Sequence, residues 1–211
     1  MNEKRKAKIW SVAKRRQSNL TVILENVHDQ HNIGAVLRSC DSVGIPEIYI
    51  LQSDPYLQKT RLALGKKTSA GSRKWVDVHY YTDPQKCFQK IREHYDFIYS
   101  THLATDSKSL YDLNLTTSVA LLFGNEKSGL TKEALAHSDG NFIIPQVGMA
   151  SSLNISVACA ISVYEAFRQR NLEGFYDEKP VLSESGQQAM FDNYVERHKI
   201  GDSPKKTYRL D

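Results

Sequence analysis

The chain has 211 residues, which at about 150 residues per domain allows one large domain or one domain with added segments. Its content of 40% hydrophobic and 25% charged residues excludes the collagen-like, disulfide-scaffold and wholly disordered classes. No apolar run approaches the ~18 residues of a membrane span, and no apolar stretch follows the basic start. We therefore expect a cytoplasmic protein without a signal peptide or membrane contact.

The positive charge is concentrated at one end of the chain. Residues 1–16 contain seven of the 28 basic residues and one of the 24 acidic residues, so the rest of the chain is slightly acidic. Such a basic segment suits a polyanion, because phosphate contacts release condensed counterions. A solubilising helix or a frayed tail is the alternative explanation.

The three cysteines, Cys40, Cys87 and Cys159, form no C-x-x-C pair and are expected to be reduced thiols. Cys40 and Cys159 lie in helical patterns, which favours small buried apolar roles. His28 and His31 have no matching Cys/His cluster elsewhere in the sequence, so no metal site is expected.

Short apolar segments alternate with helical patterns along the chain, which is typical of a parallel sheet covered by helices on both faces. The predicted strands are 20–25, 47–51, 75–81, 96–103, 118–124 and 141–145. The predicted helices are 33–43, 84–94, 131–138 (capped by Thr131) and a long one from Ser151 or Ser152 to about Arg170.

The sequence divides into a basic helical arm (1–19), an α/β core (20–172) and a C-terminal extension (173–211). The polar residues 52–73 predict a long surface connection. In the last core helix, helical spacing places five residues on one face: Leu153, Val157, Ala160, Ile161 and Tyr164.

Three segments that contain glycine and several polar residues follow predicted strands. Open α/β sheets bind ligands at the carboxyl ends of their strands. These segments are HNIGAVLR (31–38), FGNEKSGLT (123–131) and IPQVGMASSLN (144–154). None fits G-x-G-x-x-G, G-x-x-x-x-G-K-[ST] or G-x-S-x-G, so the common nucleotide-binding motifs and the α/β-hydrolase motif have no support.

Taken together and in this order, the three segments resemble the motifs of the SPOUT methyltransferases, specifically the TrmH (SpoU) branch. The first matches N-x-G-A-x-x-R through Asn32, Gly34 and Arg38, and the resemblance extends over about residues 10–172. The tRNA (guanosine-18-2′-O)-methyltransferases are the most similar group, since they share RRQ (15–17), LTVILENVHDQHN-like and STHL-like segments and EA-RQR (165–170). Ser128 stands where some relatives have a large aromatic, and the extension after Gly174 matches nothing residue by residue.

The resemblance implies a SPOUT fold with a deep trefoil knot in its C-terminal half. The knot would form the S-adenosylmethionine pocket and much of a homodimer interface. The implied cofactor contacts are Thr101, Leu103, Gly124, Ile144, Met149 and Leu153.

The implied reaction is methyl transfer to a ribose 2′-hydroxyl of tRNA, at guanosine-18. The implied catalytic residues are Arg38, Asn32, Glu126, Ser152 and Asn154. Because a guanidinium is a poor base, either Arg38 stabilises the developing alkoxide, or a substrate phosphate helps it to act in proton removal. For Ser152, a helix N-cap is the alternative role.

The expected macromolecular partner is tRNA, with no DNA. The proposed phosphate contacts are Lys14, Arg15, Arg16, Arg168 and Arg170. The alternatives are the same chemistry on ribosomal RNA or on the tRNA wobble nucleotide, and a non-catalytic RNA-binding protein.

Overall fold

A computed structural model of the chain describes residues 1–58, 63–65, 69, 71–200 and 205–207. Its centre is a sheet of seven strands, all parallel, in the order β4-β2-β1-β7-β5-β8-β6. The strands of this sheet are β1 (Leu20–Glu25), β2 (Glu47–Leu51), β4 (Asp77–Tyr81), β5 (Phe97–Thr101), β6 (Lys108–Ser109), β7 (Val119–Phe123) and β8 (Gly140–Ile143). Two further strands, β3 (Ala63–Gly65) and β9 (Lys205–Thr207), pair antiparallel. The predicted parallel α/β architecture is confirmed.

Seven α-helices connect or flank the strands in the described part of the chain. They are α1 (Glu3–Lys14), α2 (Gln30–Ser42), α3 (Pro55–Gln58), α4 (Pro84–Arg92), α5 (Lys132–Ala136), α6 (Ile155–Leu172) and α7 (Glu184–Ile200). Over the described residues, none of these helices combines the length and apolar character that crossing a membrane requires.

The sheet has a core on each face, because successive side chains of a strand point to opposite sides. One core contains Val22, Leu24 and Leu121 and receives α2 and α6. The other contains Ile23 and Leu122 and receives α4 and α5. All six residues of β1 are buried, as a central strand covered on both faces requires.

The structure corrects several predicted boundaries, including the start of α2, which lies at Gln30 and not at Ile33. The connection 52–73 contains α3 and β3, although residues 59–62, 66–68 and 70 lie outside the described residues. Helix α6 begins at Ile155 and not at Ser151 or Ser152, because the Asn154 side chain accepts the cap hydrogen bond from the Ser156 N–H.

The predicted apolar face of α6 is only partly covered, although its Ile161 packs against the core. The buried residues of α6 include Ile155, Cys159, Val163 and Ala166, which pack on the sheet. On the predicted face, Val157 and Tyr164 remain 45% and 51% exposed. Helix α6 is therefore apolar on two sides, and the described residues leave Val157 and Tyr164 on one side about half uncovered.

The basic N-terminal helix is part of the folded body, since it packs against the C-terminal helix. Trp10 of α1 and Phe191 of α7 make an edge-to-face contact with ring centroids 5.3 Å apart. Arg15 forms an ion pair of 2.7 Å with Asp177. The predicted arm and extension thus meet on the surface of the core.

Two of the predicted RNA contacts are wrong, because Arg16 and Arg170 are completely buried. Arg16 pairs with Asp41 at 2.7 Å and donates to the main-chain carbonyls of Asp41, Ile45 and Trp75. Arg170 donates to the carbonyls of Leu115 (2.8 Å) and Thr117 (2.6 Å) and to the side chain of Asn19. Burial lowers the pKa of Arg170 to about 10, which leaves it protonated at neutral pH. Both arginines hold the fold together and cannot reach a phosphate.

All three cysteines are buried free thiols, as the sequence predicted for Cys40 and Cys159. Burial raises the pKa of Cys87 to about 12 and that of Cys40 well above its usual range. Both therefore stay protonated at neutral pH.

Candidate active site at the carboxyl edge of the sheet

Four loops meet at one edge of the sheet. Strands β1, β7, β5 and β8 are neighbours and run parallel, so the loops that follow them leave on the same side. These loops are 26–29, 102–107, 124–131 and 144–154. The three segments that the sequence singled out lie in or directly after these loops, which confirms their predicted position at strand ends.

Asn32 joins two of these segments through hydrogen bonds. Its side-chain amide donates to Oε1 of Glu126 at 2.6 Å. The side-chain oxygen Oδ1 of Asn32 accepts from Nδ2 of Asn154 at 3.2 Å. The side-chain oxygen Oδ1 of Asn154, in turn, caps α6 by accepting from the Ser156 N–H at 2.9 Å. Three predicted catalytic residues, separated by up to 122 positions in sequence, thus form one network.

Arg38 is exposed on α2, about 9 Å further along the helix axis than Asn32. Within the described residues its guanidinium has no hydrogen-bond or ion-pair partner, unlike the buried Arg16 and Arg170. An exposed cation that the fold does not use for packing is available to a substrate.

Helices α2 and α6 lie side by side and run in the same direction. They touch at their starts through Asn32 and Asn154, and ten residues later through Ser42 and Tyr164, whose hydroxyl oxygens are 3.2 Å apart. Arg38 is one turn before Ser42, so it lies beside the uncovered face of α6.

Ser152 stays outside the network. It is exposed, and among the described residues it makes no hydrogen bond. The alternative role as helix cap is wrong, since Asn154 performs it.

The six predicted cofactor residues lie around the same edge, with different exposure. Thr101 ends β5 and donates to the Leu122 carbonyl at 3.3 Å, whereas Leu103 and Met149 are 81% and 104% exposed. Ile144 and Leu153 are partly buried. A Cβ on Gly124 would lie 2.4 Å from the backbone of Gly129, so this position in the loop has no space for a side chain.

The loop before α6 offers unpaired main-chain groups. Among the described residues, no N–H of residues 146–153 donates to another protein group. Apolar side chains lie next to these donors, at Val147 and Met149. A ligand with an aromatic base and polar ends fits this combination, because the apolar groups can cover its faces and the main chain can bind its polar atoms.

A second group of polar residues, outside the predicted catalytic and cofactor residues, connects the loops. The Asn125 side-chain amide donates to the Asn26 carbonyl at 2.9 Å. The buried carboxylate of Glu25 accepts from the Thr131 hydroxyl and N–H at 2.6 and 2.9 Å. The sequence feature that could have indicated this group is Glu25, an acidic residue that directly follows the apolar run LTVIL.

Three of the predicted RNA contacts are accessible. Lys14, Arg15 and Arg168 are exposed. Arg15 forms an ion pair with Asp177. Arg168 pairs with Glu165 at 2.8 Å, which raises the pKa of Arg168. Two further basic residues, Arg5 and Lys74, both lie over the Trp75 ring, at 5.5 and 5.3 Å from its centroid.

Comparison with known proteins agrees with this geometry. The sequence profile of the SpoU rRNA Methylase family matches residues 19–164. A tRNA (guanosine(18)-2′-O)-methyltransferase of Thermus thermophilus is 40% identical over 190 residues, covering 90% of this chain and 95% of its own length.

Two solved structures are similar as well. The TrmH/SpoU tRNA modifying enzyme of A. aeolicus superposes with a TM-score of 0.82 at 31% identity, covering 95% of this chain and 98% of that one. The SpoU methyltransferase AviRb of Streptomyces viridochromogenes, solved with AdoMet, has a TM-score of 0.61 at 26% identity, covering 74% of this chain and 59% of its own. The chain described here belongs to the SpoU methylase family.

Proposed function

We propose that this protein transfers a methyl group from S-adenosylmethionine to the ribose 2′-hydroxyl of guanosine-18 in tRNA. The observation that carries the proposal is the Glu126–Asn32–Asn154 network beside the free Arg38, at the edge where parallel sheets bind ligands. The relatives that share nearly the full length of this chain support tRNA as the substrate.

The residues of the network have distinct tasks in this reaction. Arg38 stabilises the negative charge that develops on the 2′-oxygen, either alone or together with a substrate phosphate. Asn32, held by Glu126 and Asn154, orients the ribose or its phosphate. This alignment matters because methyl transfer requires the attacking oxygen, the methyl carbon and the sulfur to be in line.

The loops around Gly124, Ile144 and Leu153 would hold S-adenosylmethionine, together with Thr101, Leu103 and Met149. When bound, the cofactor supplies the electrophilic methyl group on its sulfonium. The free N–H groups of residues 146–153 and the exposed Leu103 and Met149 support this assignment. Main-chain recognition also explains why no charged cofactor-binding motif occurs in the sequence.

The position of the basic helix supports a macromolecular substrate. The C-terminal end of α1 contacts the C-terminal end of α2, through Arg16 and Asp41, whereas Asn32 lies at the start of α2 and Arg38 lies between. The 13 residues of α2 span about 20 Å, so a ligand that reaches both Asn32 and the basic helix must cover most of that distance. A tRNA can do this, and a small metabolite cannot. Lys14, Arg15 and Arg168 contact its phosphates in this proposal.

We also propose a homodimer and a deep trefoil knot. The uncovered face of α6 supports the dimer, since Val157 and Tyr164 are about half exposed and Met149, in the loop before α6, is fully exposed. A second copy of the chain would cover this stripe and place Arg38 next to the interface. The knot is supported by the likeness to the TrmH/SpoU structure and by the convergence of the loops after β5, β7 and β8. The division into segments 1–19, 20–172 and 173–211 stays a prediction.

The test of the proposed function is transfer of labelled methyl groups from S-adenosylmethionine to an unmodified tRNA transcript. We expect labelling of the transcript, and none when guanosine-18 is replaced by another nucleotide, because the 2′-hydroxyl must be presented by the correct base. Ribosomal RNA and a tRNA with guanosine-18 already methylated serve as controls. Labelling of ribosomal RNA alone would reject tRNA as the substrate. Binding of tRNA without any transfer would favour a non-catalytic RNA-binding protein.

The affinity for tRNA is expected to fall steeply as the salt concentration rises, because each phosphate contact releases counterions. Lys14→Ala and Arg15→Ala should each lower the slope of log K against log salt by about one unit. Filter binding between low and physiological salt measures this slope. Lys86→Ala, an exposed lysine on the opposite face of the sheet, should leave the slope unchanged. A salt-independent affinity would remove the assigned phosphate contacts.

A further inference from the structure

The carboxylate of Glu25 is completely buried, yet within the described residues no cation pairs with it. It accepts the hydroxyl and the N–H of Thr131 at 2.6 and 2.9 Å and the hydroxyl of Ser53 at 3.3 Å. Burying a carboxylate costs free energy unless hydrogen bonds compensate for the lost water. A buried acid that accepts hydrogen bonds from neutral donors therefore stabilises the fold less than an apolar side chain would. Its hydrogen bonds indicate that it positions other residues.

The partners of Glu25 show what it positions. Thr131 is the last residue of the loop 124–131 and also the N-cap of α5. At the other end of the same loop, Asn125 donates to the main-chain carbonyl of Asn26 at 2.9 Å. Asn26 directly follows Glu25, so both ends of the loop are fastened to consecutive residues at the end of β1.

Asn26 is itself held rigidly. Its φ of +54° places it in the left-handed region, which few non-glycine residues adopt. Its side chain donates to the Ser53 hydroxyl at 3.0 Å and accepts the Asp54 N–H at 3.0 Å. Its own N–H donates to the Leu51 carbonyl at 2.8 Å. The attachment point of the loop is thereby fixed to the end of β2 as well.

Glu126 lies within the fastened loop, directly after Asn125. The loop closes on itself through two hydrogen bonds between Asn125 and Gly129, of 3.1 and 2.9 Å. The Glu126 carboxylate can then reach the Asn32 amide at 2.6 Å. A short closed loop with both ends fastened leaves little freedom for Glu126 to move away from Asn32.

We propose that Glu25, Asn26, Asn125 and Thr131 form a clamp that positions Glu126 against Asn32. This proposal rests on the proposed methyl transfer for its consequence in catalysis, but the placement of Asn32 can be measured without it. None of the four residues needs to touch the substrate or the cofactor, so they are positioning residues. The clamp explains why an acid that pairs with no cation among the described residues is retained in the core.

The test compares Thr131→Val, which keeps the shape of the side chain and removes its hydroxyl, with Thr131→Ser, which keeps the hydroxyl. We expect Thr131→Val to lower kcat between about 10-fold and 100-fold, because small displacements of positioning groups have effects of this size. The KM for tRNA should change less than about twofold, since the assigned phosphate contacts lie elsewhere. Thr131→Ser should restore most of the activity.

The matched control is Thr21→Val. Thr21 is a fully buried threonine on β1 whose hydroxyl donates to the Glu47 carbonyl at 2.8 Å, at the opposite end of the strand. Its substitution removes a comparable hydrogen bond from the core and should leave kcat unchanged. An equal loss of kcat in Thr21→Val would mean that general destabilisation, and not the clamp, explains the result.

A second measurement reads the contact itself in the free protein. The side-chain amide signals of Asn32 in a nitrogen–proton correlation spectrum report its hydrogen bond to Glu126, and Glu126→Gln defines the shift on losing the charged partner. Thr131→Val should move these signals in the same direction, while Thr131→Ser and Thr21→Val should leave them in place. Unmoved Asn32 signals in Thr131→Val would overturn the clamp, whatever happens to kcat. An inactive wild-type protein whose Asn32 signals still respond would overturn the methyl transfer and keep the clamp.

Discussion

Replacing Arg38 by alanine is expected to lower kcat for tRNA methylation by about 100-fold to 1,000-fold, the loss typical of one group that stabilises a developing oxyanion. The fold should tolerate the change, because Arg38 is exposed and, among the described residues, makes no hydrogen bond or ion pair. Single-turnover transfer of labelled methyl groups at saturating cofactor measures the effect directly.

The two accounts of Arg38 differ in which kinetic constant responds. If Arg38 acts on the alkoxide alone, kcat falls and the KM for tRNA stays the same; if it also binds a substrate phosphate, KM rises as well. Arg38→Lys keeps the charge and loses the planar fork, so it should retain more activity than Arg38→Ala in the first account. Lys86→Ala removes an exposed charge from another helix and should have no effect. Unchanged kcat in Arg38→Ala would remove Arg38 from the mechanism.

Replacing Arg170 by methionine is expected to lower the free energy of unfolding by about 3 kcal/mol or more. The substitution keeps an unbranched apolar stem, but it removes the guanidinium and leaves the carbonyls of Leu115 and Thr117 and the side chain of Asn19 without their buried donors. Each acceptor left unsatisfied in the core costs free energy that water no longer compensates. Urea denaturation followed by circular dichroism measures the change.

Arg168→Met provides the matched control, two residues away on the same helix. Arg168 is exposed and pairs with Glu165, so its loss should hardly change the stability and should weaken tRNA binding. The two neighbouring arginines thus predict opposite outcomes, stability loss for Arg170 and affinity loss for Arg168. Weakened tRNA binding with full stability in Arg170→Met would contradict its assignment to the core.

The strands and the position of the site could be predicted from the sequence, because each depends on local pattern. Runs such as LTVIL and VALLF are almost entirely apolar, which is typical of strands buried on both faces. The three motif segments follow predicted strands, and parallel strands bring their carboxyl ends to the same edge of the sheet. The order of the motifs then sufficed to identify the family.

Helix boundaries and helix faces were less predictable. Ser151, Ser152 and Asn154 are all residue types that suit an N-cap, so the sequence alone could not select one. In the structure Asn154 is the N-cap, and its side chain also donates to Asn32, a residue far away in the sequence. Likewise, α6 is apolar on two sides, so periodicity alone cannot tell which side meets the sheet.

The parallel α/β architecture, the three motif segments and the excess of basic residues at the N-terminus follow from residue types and their spacing along the chain. The accessibility of the arginines does not follow from these patterns: Arg16 and Arg170 are buried in the folded protein, and Arg38 and Arg168 are not. The physical reason is that a guanidinium can be buried wherever the fold brings carbonyls and carboxylates to its donors, and those partners come from distant parts of the chain. The same holds for Glu25, whose role depends on Thr131, 106 residues away.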